Sequence, residues 1–171
     1  MTFLDLVRAR ESVRDYDPAR PVPREVLERI LEAGRLAPSA CNLQPWRFIV
    51  ASSPEMLARV RPCYGRQWFQ DAPHVLILTG ERADAWTRRD GYNSLETDLA
   101  IAMDHLILAA TAEGVGTCWI AAFDPAVLRR ALDLKAGEEV FAITPLGYAR
   151  ENYRRREIKE RKAVAEIARF V

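Results

Sequence analysis

The chain has 171 residues, 49% hydrophobic and 29% charged, which suits one folded domain with a proper core and excludes a disordered chain. Lys and Arg number 25 against 24 Asp and Glu, so no global charge favours nucleic acid or an anionic membrane. Three cysteines without a C-x-x-C pair and two separated histidines predict neither a zinc site nor a disulfide framework. The N-terminus does not resemble a signal peptide and no apolar run could span a bilayer, so we expect a soluble cytoplasmic protein.

Hydrophobic periodicity predicts alternating helices and strands along the chain. In order, these are a helix ending near residues 8–10, a helix over 23–36, a strand over 46–51, a helix over 53–60, a strand over 72–79, a helix over 93–113, a strand over 117–122, a helix over 124–132 and a strand over 140–146 broken by Pro145. Residues 61–71 are expected to be irregular. The helix 93–113 is apolar nearly all round, so we place it at the centre of the fold. The pattern predicts an α+β layered sandwich in a single domain, residues 1–171.

The loop before the first predicted strand carries a cluster of polar groups. Ser39, Asn42 and Gln44 can each donate and accept hydrogen bonds, while Pro38 and Pro45 restrict the backbone between them. A stiff loop of this kind suits a flat heterocycle with polar edges. An ordinary helix-to-strand connection, in which the polar side chains bond their own backbone, explains the same residues.

Basic residues cluster after the first helix. Arg10, Ser12 and Arg14 lie two apart, and in an extended segment this spacing turns all three to one side. Two guanidiniums around a hydroxyl form a plausible phosphate-binding group, because the arginine fork matches phosphate oxygens. A solvated arginine cluster is the alternative interpretation.

Together these stretches resemble the nitroreductase family of FMN-dependent NAD(P)H oxidoreductases. APSACNLQPWRFIV, residues 37–50, is similar to the signature loop of that family, and RESVRDY, residues 10–16, to a second motif. Looser resemblances cover residues 114–124 and the tail from Pro145, in the order the family uses. The resemblance implies a nitroreductase-like fold, with a mixed central sheet flanked by helices, in an intertwined homodimer. Residues 150–171 would form a C-terminal arm that packs on the partner subunit, as an added strand or arm.

The resemblance also implies where FMN would be bound. Arg10 and Ser12 would hold its phosphate and ribityl end. Arg14 would lie near N1 and O2 of the flavin, where a positive charge stabilises the anionic reduced form. Glu11 occupies a position that is often basic in the family. Because an acidic group beside a phosphate is unfavourable, we expect Glu11 to point away and to contribute backbone at most.

The flavin ring would be contacted by the polar loop. Pro38 and Ser39 would pack against the ring and hydrogen-bond to it, and Asn42 and Gln44 would reach the flavin or brace the loop. Some of these contacts would come from the other subunit, because the family binds its cofactor at the dimer interface. Cys41 lies among these residues, but nothing in the sequence predicts a reactive thiol there.

Two further pairs complete the implied site. The strand end at Ala121 and Ala122 would pass N5 of the flavin, with a backbone N–H donating to N5 and small side chains leaving the ring face open. Lys159 and Arg161 match the family's basic pair on the phosphate, although Ala163 stands where the family usually has proline. Arg14, Ala121 and Ala122 are therefore the predicted catalytic positions.

The implied activity is hydride transfer from NADH or NADPH, through flavin N5, to nitroaromatics, quinones or similar small acceptors by a ping-pong mechanism. Two alternatives stay open: a specialised flavoenzyme of the same fold, such as a reductive dehalogenase or a maturation oxidase, and a flavin-binding dimer without turnover. Gly114-Val115-Gly116 is not a dinucleotide fingerprint, since it lacks the third glycine and follows a helix. Interleaved glutamates argue against nucleic-acid binding by the basic tail.

Overall fold

A computed structural model describes residues 1–155 and 159–171. The helices are α1 (Phe3–Ala9), α2 (Arg24–Arg35), α3 (Pro54–Val60), α4 (Gln67–Gln70), α5 (Leu95–Ala112), α6 (Pro125–Leu132) and α7 (Val164–Ile167). The strands are β1 (Trp46–Ala51), β2 (His74–Glu81), β3 (Gly116–Thr117) and β4 (Glu138–Gly147). Short 3-10 turns occupy Ala40–Asn42, Arg61–Cys63 and Arg82–Asp84.

The four strands form one sheet in the order β1-β2-β4-β3, and each neighbouring pair is antiparallel. Phe48 of β1 lies opposite Leu78 of β2, and Ile77 of β2 lies opposite Ile143 of β4. A parallel bridge joins Ser12 to Thr117 beyond the end of α1. Within the described residues, no strand pairs with the outer edge of β1.

Helices cover both faces of the sheet, so the predicted α+β layered sandwich is confirmed. Helices α2 and α5 enclose one core with the sheet residues Leu76, Leu78, Ala142 and Leu146. On the other face, α3 and α6 pack over Val75, Ile77 and Ile143. This alternation along β2 and β4 follows from the two-residue period of a strand, which sends successive side chains to opposite faces. The apolar helix α5 lies in the larger core, as its composition predicts.

The structure corrects the prediction for the last two strands. Strand β4 is not broken at Pro145 but runs through it to Gly147, and Pro145 lies opposite Val75 of β2. Pro145 instead limits β3, which was predicted to extend to residue 122 and ends at Thr117. Continuing the register of β3 would place Cys118 opposite Pro145, which has no N–H to donate to the Cys118 carbonyl. The Cys118 amide donates instead to the Thr144 hydroxyl, 3.0 Å away.

Two smaller findings complete the fold. Residues 61–71, expected to be irregular, contain the 3-10 turn Arg61–Cys63 and the single helical turn α4. Across residues 1–155 and 159–171, no helix has both the length and the apolar character to cross a membrane.

Candidate active site

A cavity of about 680 Å³ lies where the end of α1 meets the C-terminal segment. Its walls are formed by Arg10, Glu11, Ser12, Arg14, Lys159, Glu160 and Arg161. Four of these seven side chains are cationic and two are acidic, so the cavity has a net positive charge suited to an anion. The structure therefore brings together the two basic groups that the sequence predicts from separate ends of the chain. We call residues 10–14 with Lys159 and Arg161 the cradle.

The first part of the cradle is held by strand-like pairing. The Val13 amide donates to the Thr117 carbonyl at 2.8 Å, and the buried Tyr16 hydroxyl donates to the Val13 carbonyl at 2.8 Å. Val13 is buried in the core, so alternation turns Ser12 and Arg14 to the opposite side, into the cavity. This agrees with the orientation that their spacing predicts.

Gly116 allows this close approach. A Cβ at Gly116 would lie 3.0 Å from the Val13 Cβ and 3.1 Å from the Gly147 carbonyl oxygen. Such distances are tighter than ordinary van der Waals contact, so a larger residue would push the cradle away from the sheet.

The C-terminal part of the cradle is held by Lys159. Its ammonium donates to the backbone carbonyls of Arg8 and Arg10 at the end of α1, where unpaired carbonyls favour a cation. Burial lowers the pKa of Lys159, the nearby Arg10 lowers it further, and Glu11 opposes both. The ammonium has three donors, so the two carbonyls leave it one more for an anion.

Glu11 does not extend into solvent. It is buried at 9% exposure, its carboxylate lies 3.6 Å from Nε of Arg155, and it lines the cavity wall. The carboxylate therefore offsets part of the positive charge of the cradle from within.

Cys118 lies beneath the same wall. Burial raises the pKa of its thiol, and the neighbouring Arg14 and Ser12 oppose this by lowering it. No pattern in the sequence predicts that Cys118 lies beneath the cradle.

The second predicted group, residues 38–44, forms a separate structure that we call the polar loop. The Ser39 hydroxyl accepts a hydrogen bond from the Gln44 backbone amide at 2.9 Å. The Gln44 side-chain amide donates to the Asn42 backbone carbonyl at 3.1 Å. Cys41, Asn42 and Gln44 have φ angles of 51°, 56° and 52°, in the left-handed region that non-glycine residues seldom adopt. Pro38, Asn42 and Gln44 are exposed, so the loop presents its polar groups outward.

The polar loop is attached to α5 by Asp98, which the sequence analysis did not select. The Asp98 carboxylate accepts hydrogen bonds from the Ala40 backbone amide at 2.9 Å and from the Ser94 hydroxyl at 2.8 Å. Asp98 is only 2% exposed. The available signal was an acidic residue directly before Leu99, on a helix that is largely apolar. A carboxylate at such a position needs a buried partner.

The structure places the cradle and the polar loop at opposite ends of α5. The polar loop is bound at Asp98, in the first turns of the helix, whereas the cradle pairs with Thr117, just beyond its last residue, Ala112. At 1.5 Å per residue, Asp98 and Ala112 are about 20 Å apart along the axis. Among the described residues, those that line the cavity include none from the polar loop. One chain alone does not join the two groups.

Ala121 and Ala122 follow β3, the strand whose Thr117 pairs with the cradle. They follow Ile120, whose amide and carbonyl pair with Ile143 at 2.9 and 3.1 Å, and both alanines are exposed. Thr117, four residues before Ala121, is the residue that pairs with Val13 in the cradle. Neither alanine is among the residues that line the cavity, and this short segment of chain connects both to the cradle.

Comparison with known proteins identifies the class. The sequence matches the nitroreductase family over residues 7–64 and 58–148. A protein of Methanothermobacter thermautotrophicus whose name includes NADH dehydrogenase and NAD(P)H nitroreductase is 32% identical over 158 residues, covering 89% of this chain and 80% of that protein. A crystal structure of a nitroreductase family protein from Clostridium difficile 630 superposes with a TM-score of 0.91 at 31% identity, covering 99% and 98% of the two chains.

A further solved structure, described as an oxidoreductase containing FMN, is 26% identical with a TM-score of 0.74, over 85% of this chain and 76% of that one. The chain thus belongs to the nitroreductase family, and its nitroreductase fold is confirmed. More particularly, it is an NAD(P)H-dependent oxidoreductase.

Proposed function

We propose that this protein is an FMN-dependent nitroreductase in which the cradle binds the cofactor phosphate. The observation that carries the proposal is the cavity of about 680 Å³ with Arg10, Arg14, Lys159 and Arg161 on its walls. Guanidinium and ammonium groups converging on one cavity fit a phosphate, and the Ser12 hydroxyl adds a donor. The names of the relatives, which include an FMN-containing oxidoreductase and an NAD(P)H nitroreductase, support the same cofactor and donor here.

The residues of this chain would divide the work of binding and orientation. Arg10, Ser12, Lys159 and Arg161 would hold the phosphate and ribityl end. Arg14 would place its charge by the pyrimidine side of the flavin, where it favours the anionic reduced state. When bound, FMN would supply hydride transfer between NAD(P)H and a second acceptor.

At the reactive edge, the exposed backbone of Ala121 and Ala122 would donate an N–H and leave the face of the ring accessible. Their small side chains exclude little of the space above that backbone, which suits several flat acceptors such as nitroaromatics and quinones. Donor and acceptor would use the same open face in turn, as in a ping-pong mechanism. No side chain of this set is required as a proton donor.

The separation of the cradle from the polar loop supports a homodimer. If a two-fold axis brings the polar loop of one copy to the cradle of the other, Pro38, Ser39, Asn42 and Gln44 reach the ring while the cradle holds the phosphate. Apolar side chains of α1 are exposed in the single chain, with Phe3 at 69% and Leu4 at 61%. A second copy would cover them.

The C-terminal arm is the second support for a dimer. Val164, Ile167, Phe170 and Val171 are all at least 69% exposed, so in one chain they have no core to pack on. The outer edge of β1 borders a cavity of about 590 Å³ whose apolar wall includes Leu27, Phe48, Val50 and Met56. We propose that the arm of the partner adds a strand at this edge and makes the sheet mixed.

The test is an absorbance spectrum of the purified protein, followed by anaerobic titration with NADH and then NADPH. A flavin spectrum that bleaches with one nucleotide and returns with a quinone or nitroaromatic is the expected result, and it identifies the preferred donor. Bound flavin that neither nucleotide reduces would support a specialised flavoenzyme or a flavin-binding dimer. Absence of flavin after incubation with FMN would contradict the proposal.

Mass in solution tests the assembly separately. We expect a species of twice 19.4 kDa by light scattering. Truncation after Lys162 removes the apolar arm and should shift that species toward the monomer, whereas an unchanged dimer would show that the arm is not part of the interface.

A further inference from the structure

We propose that Asp98 is the positioning residue of the polar loop: its buried carboxylate holds residues 39–44 in the conformation that the flavin ring requires. The inference deepens the proposed function and rests on it. It assigns a role to a residue in the core that would contact neither cofactor nor substrate directly.

The first step is the state of the polar loop. Cys41, Asn42 and Gln44 adopt left-handed backbone without being glycine, which is unfavourable for Cys41 and Gln44 and better tolerated by Asn42. Such conformations persist where the surrounding structure fixes them. The loop has two internal side-chain bonds, Ser39 to Gln44 and Gln44 to Asn42, and both are exposed to solvent. Exposed bonds compete with water, so they are weak restraints by themselves.

The second step is the anchor. The Ala40 amide lies between Ser39 and Cys41, and it donates to Asp98 at 2.9 Å in a partly buried contact. The other carboxylate oxygen accepts a hydrogen bond from the buried hydroxyl of Ser94, the N-cap residue of α5, at 2.8 Å. Asp98 therefore cannot turn away, and the hydrogen bond it accepts from Ala40 is charge-assisted. The start of a helix also favours a carboxylate.

The third step is the close contact at the far end of the loop. A Cβ on Gly80 would lie 2.5 Å from the Pro45 carbonyl oxygen and 2.8 Å from Leu95. The backbone at Pro45 thus packs directly against β2 and the start of α5. With Ala40 bound at one end and Pro45 confined at the other, the four residues between them have little freedom. Loss of the Asp98 bond releases the N-terminal end.

The experiment compares Asp98→Ala with Asp98→Asn in the full chain. Alanine removes the acceptor of the Ala40 amide. Asparagine keeps it, because its carbonyl oxygen accepts from Ala40 while its amide donates to the Ser94 hydroxyl. Glu96→Ala is the matched control, since Glu96 is an exposed carboxylate in the first turn of the same helix and pairs with Arg82, outside the loop.

Affinities for FMN and for riboflavin are measured by quenching of flavin fluorescence. Asp98→Ala should weaken both by the same factor, about tenfold or more, since the loop contacts the ring and not the phosphate. The flavin affinities of Asp98→Asn should remain within about threefold of the wild-type values, and Glu96→Ala should bind both flavins as tightly as the wild type does. An Asp98→Ala protein with unchanged affinity for both flavins would overturn the inference.

Hydrogen exchange of the flavin-free protein gives a readout independent of the cofactor. The Ala40 amide should exchange at least about tenfold faster in Asp98→Ala, while amides of α5 keep their wild-type rates. Equal acceleration in α5 would mean a global loss of stability and would overturn the role. If Asp98→Ala does not fold, Ser94→Ala replaces it: a faster Ala40 amide supports the anchor, and an unchanged one contradicts it. A wild type without flavin affinity would refute the proposed function, yet leave this test intact.

Discussion

The cradle and the polar loop are fixed in place by different means. In the cradle, backbone pairing to Thr117 and the buried side chain of Val13 set the position, and the groups presented are charged. The polar loop presents neutral amides and a hydroxyl, and its attachment to the core depends on the buried carboxylate of Asp98. The cradle therefore suits an anion, and the loop suits the polar edge of a ring. From this difference we expect the cradle to govern affinity for phosphate and the loop to govern affinity for the flavin itself.

The largest expected effect is that of Arg10→Gln on cofactor affinity. Loss of one charge-assisted contact to phosphate should weaken FMN binding by about 10- to 100-fold. Riboflavin, which has no phosphate, should bind as it does to the wild type. Fluorescence titration with both flavins makes the measurement. Arg8→Gln is the control, because Arg8 is an exposed arginine two residues away whose side chain does not line the cavity. An equal loss of riboflavin affinity would show that Arg10 acts on the whole site.

Next in size is a pair of glycine substitutions, one for each region. Gly80→Ala places a methyl group 2.5 Å from the Pro45 carbonyl, and Gly116→Ala places one 3.0 Å from Val13. Each should lower the free energy of unfolding by about 1–3 kcal/mol, with Gly80→Ala the more severe because backbone cannot move aside. Urea unfolding measures both. Gly65→Ala, with no atom within 4 Å of the added methyl, should be close to neutral.

A smaller effect is expected for Ser39→Ala in the polar loop. The change leaves the Gln44 amide without the hydroxyl that accepts it at 2.9 Å. Flavin affinity should fall by about three- to tenfold, for FMN and riboflavin alike. Ser53→Ala provides contrast, since it removes the hydroxyl that caps α3 at Met56 and should lower thermal stability without changing flavin affinity. A loss confined to FMN would place Ser39 at the phosphate instead.

Local sequence patterns predict how neighbouring residues of the cradle are oriented, but not which distant parts of the chain meet to form it. Spacing alone indicated that Arg10, Ser12 and Arg14 share a side, because a strand has a period of two residues. The meeting of Lys159 with the end of α1 joins positions about 150 residues apart, and only the resemblance suggested it. No local pattern gives such a contact.

Asp98 and the length of β3 show what sequence reasoning missed. A carboxylate on an apolar helix is visible in the sequence, but its partner, the Ala40 amide, is a backbone group that no composition reveals. Likewise, the sequence predicts that Pro145 breaks its own strand. Its effect falls on the neighbouring strand, because the missing N–H matters only on the side where β3 would have paired.

The smallest expected difference between the two regions is in the reactivity of their cysteines. Cys41 in the polar loop is exposed, whereas Cys118 beneath the cradle and Cys63 in the second core are buried. Burial raises the pKa of Cys118, and burial with the nearby Asp124 raises the pKa of Cys63 to about 12, so neither forms the reactive thiolate near neutral pH. Iodoacetamide at pH 8 should therefore add one group to the native protein, at Cys41, and none to Cys41→Ser. Intact mass and peptide mapping give the count, and the denatured chain should take up three. Native labelling at Cys118 would show that the wall of the cradle opens to solvent, which its burial does not predict.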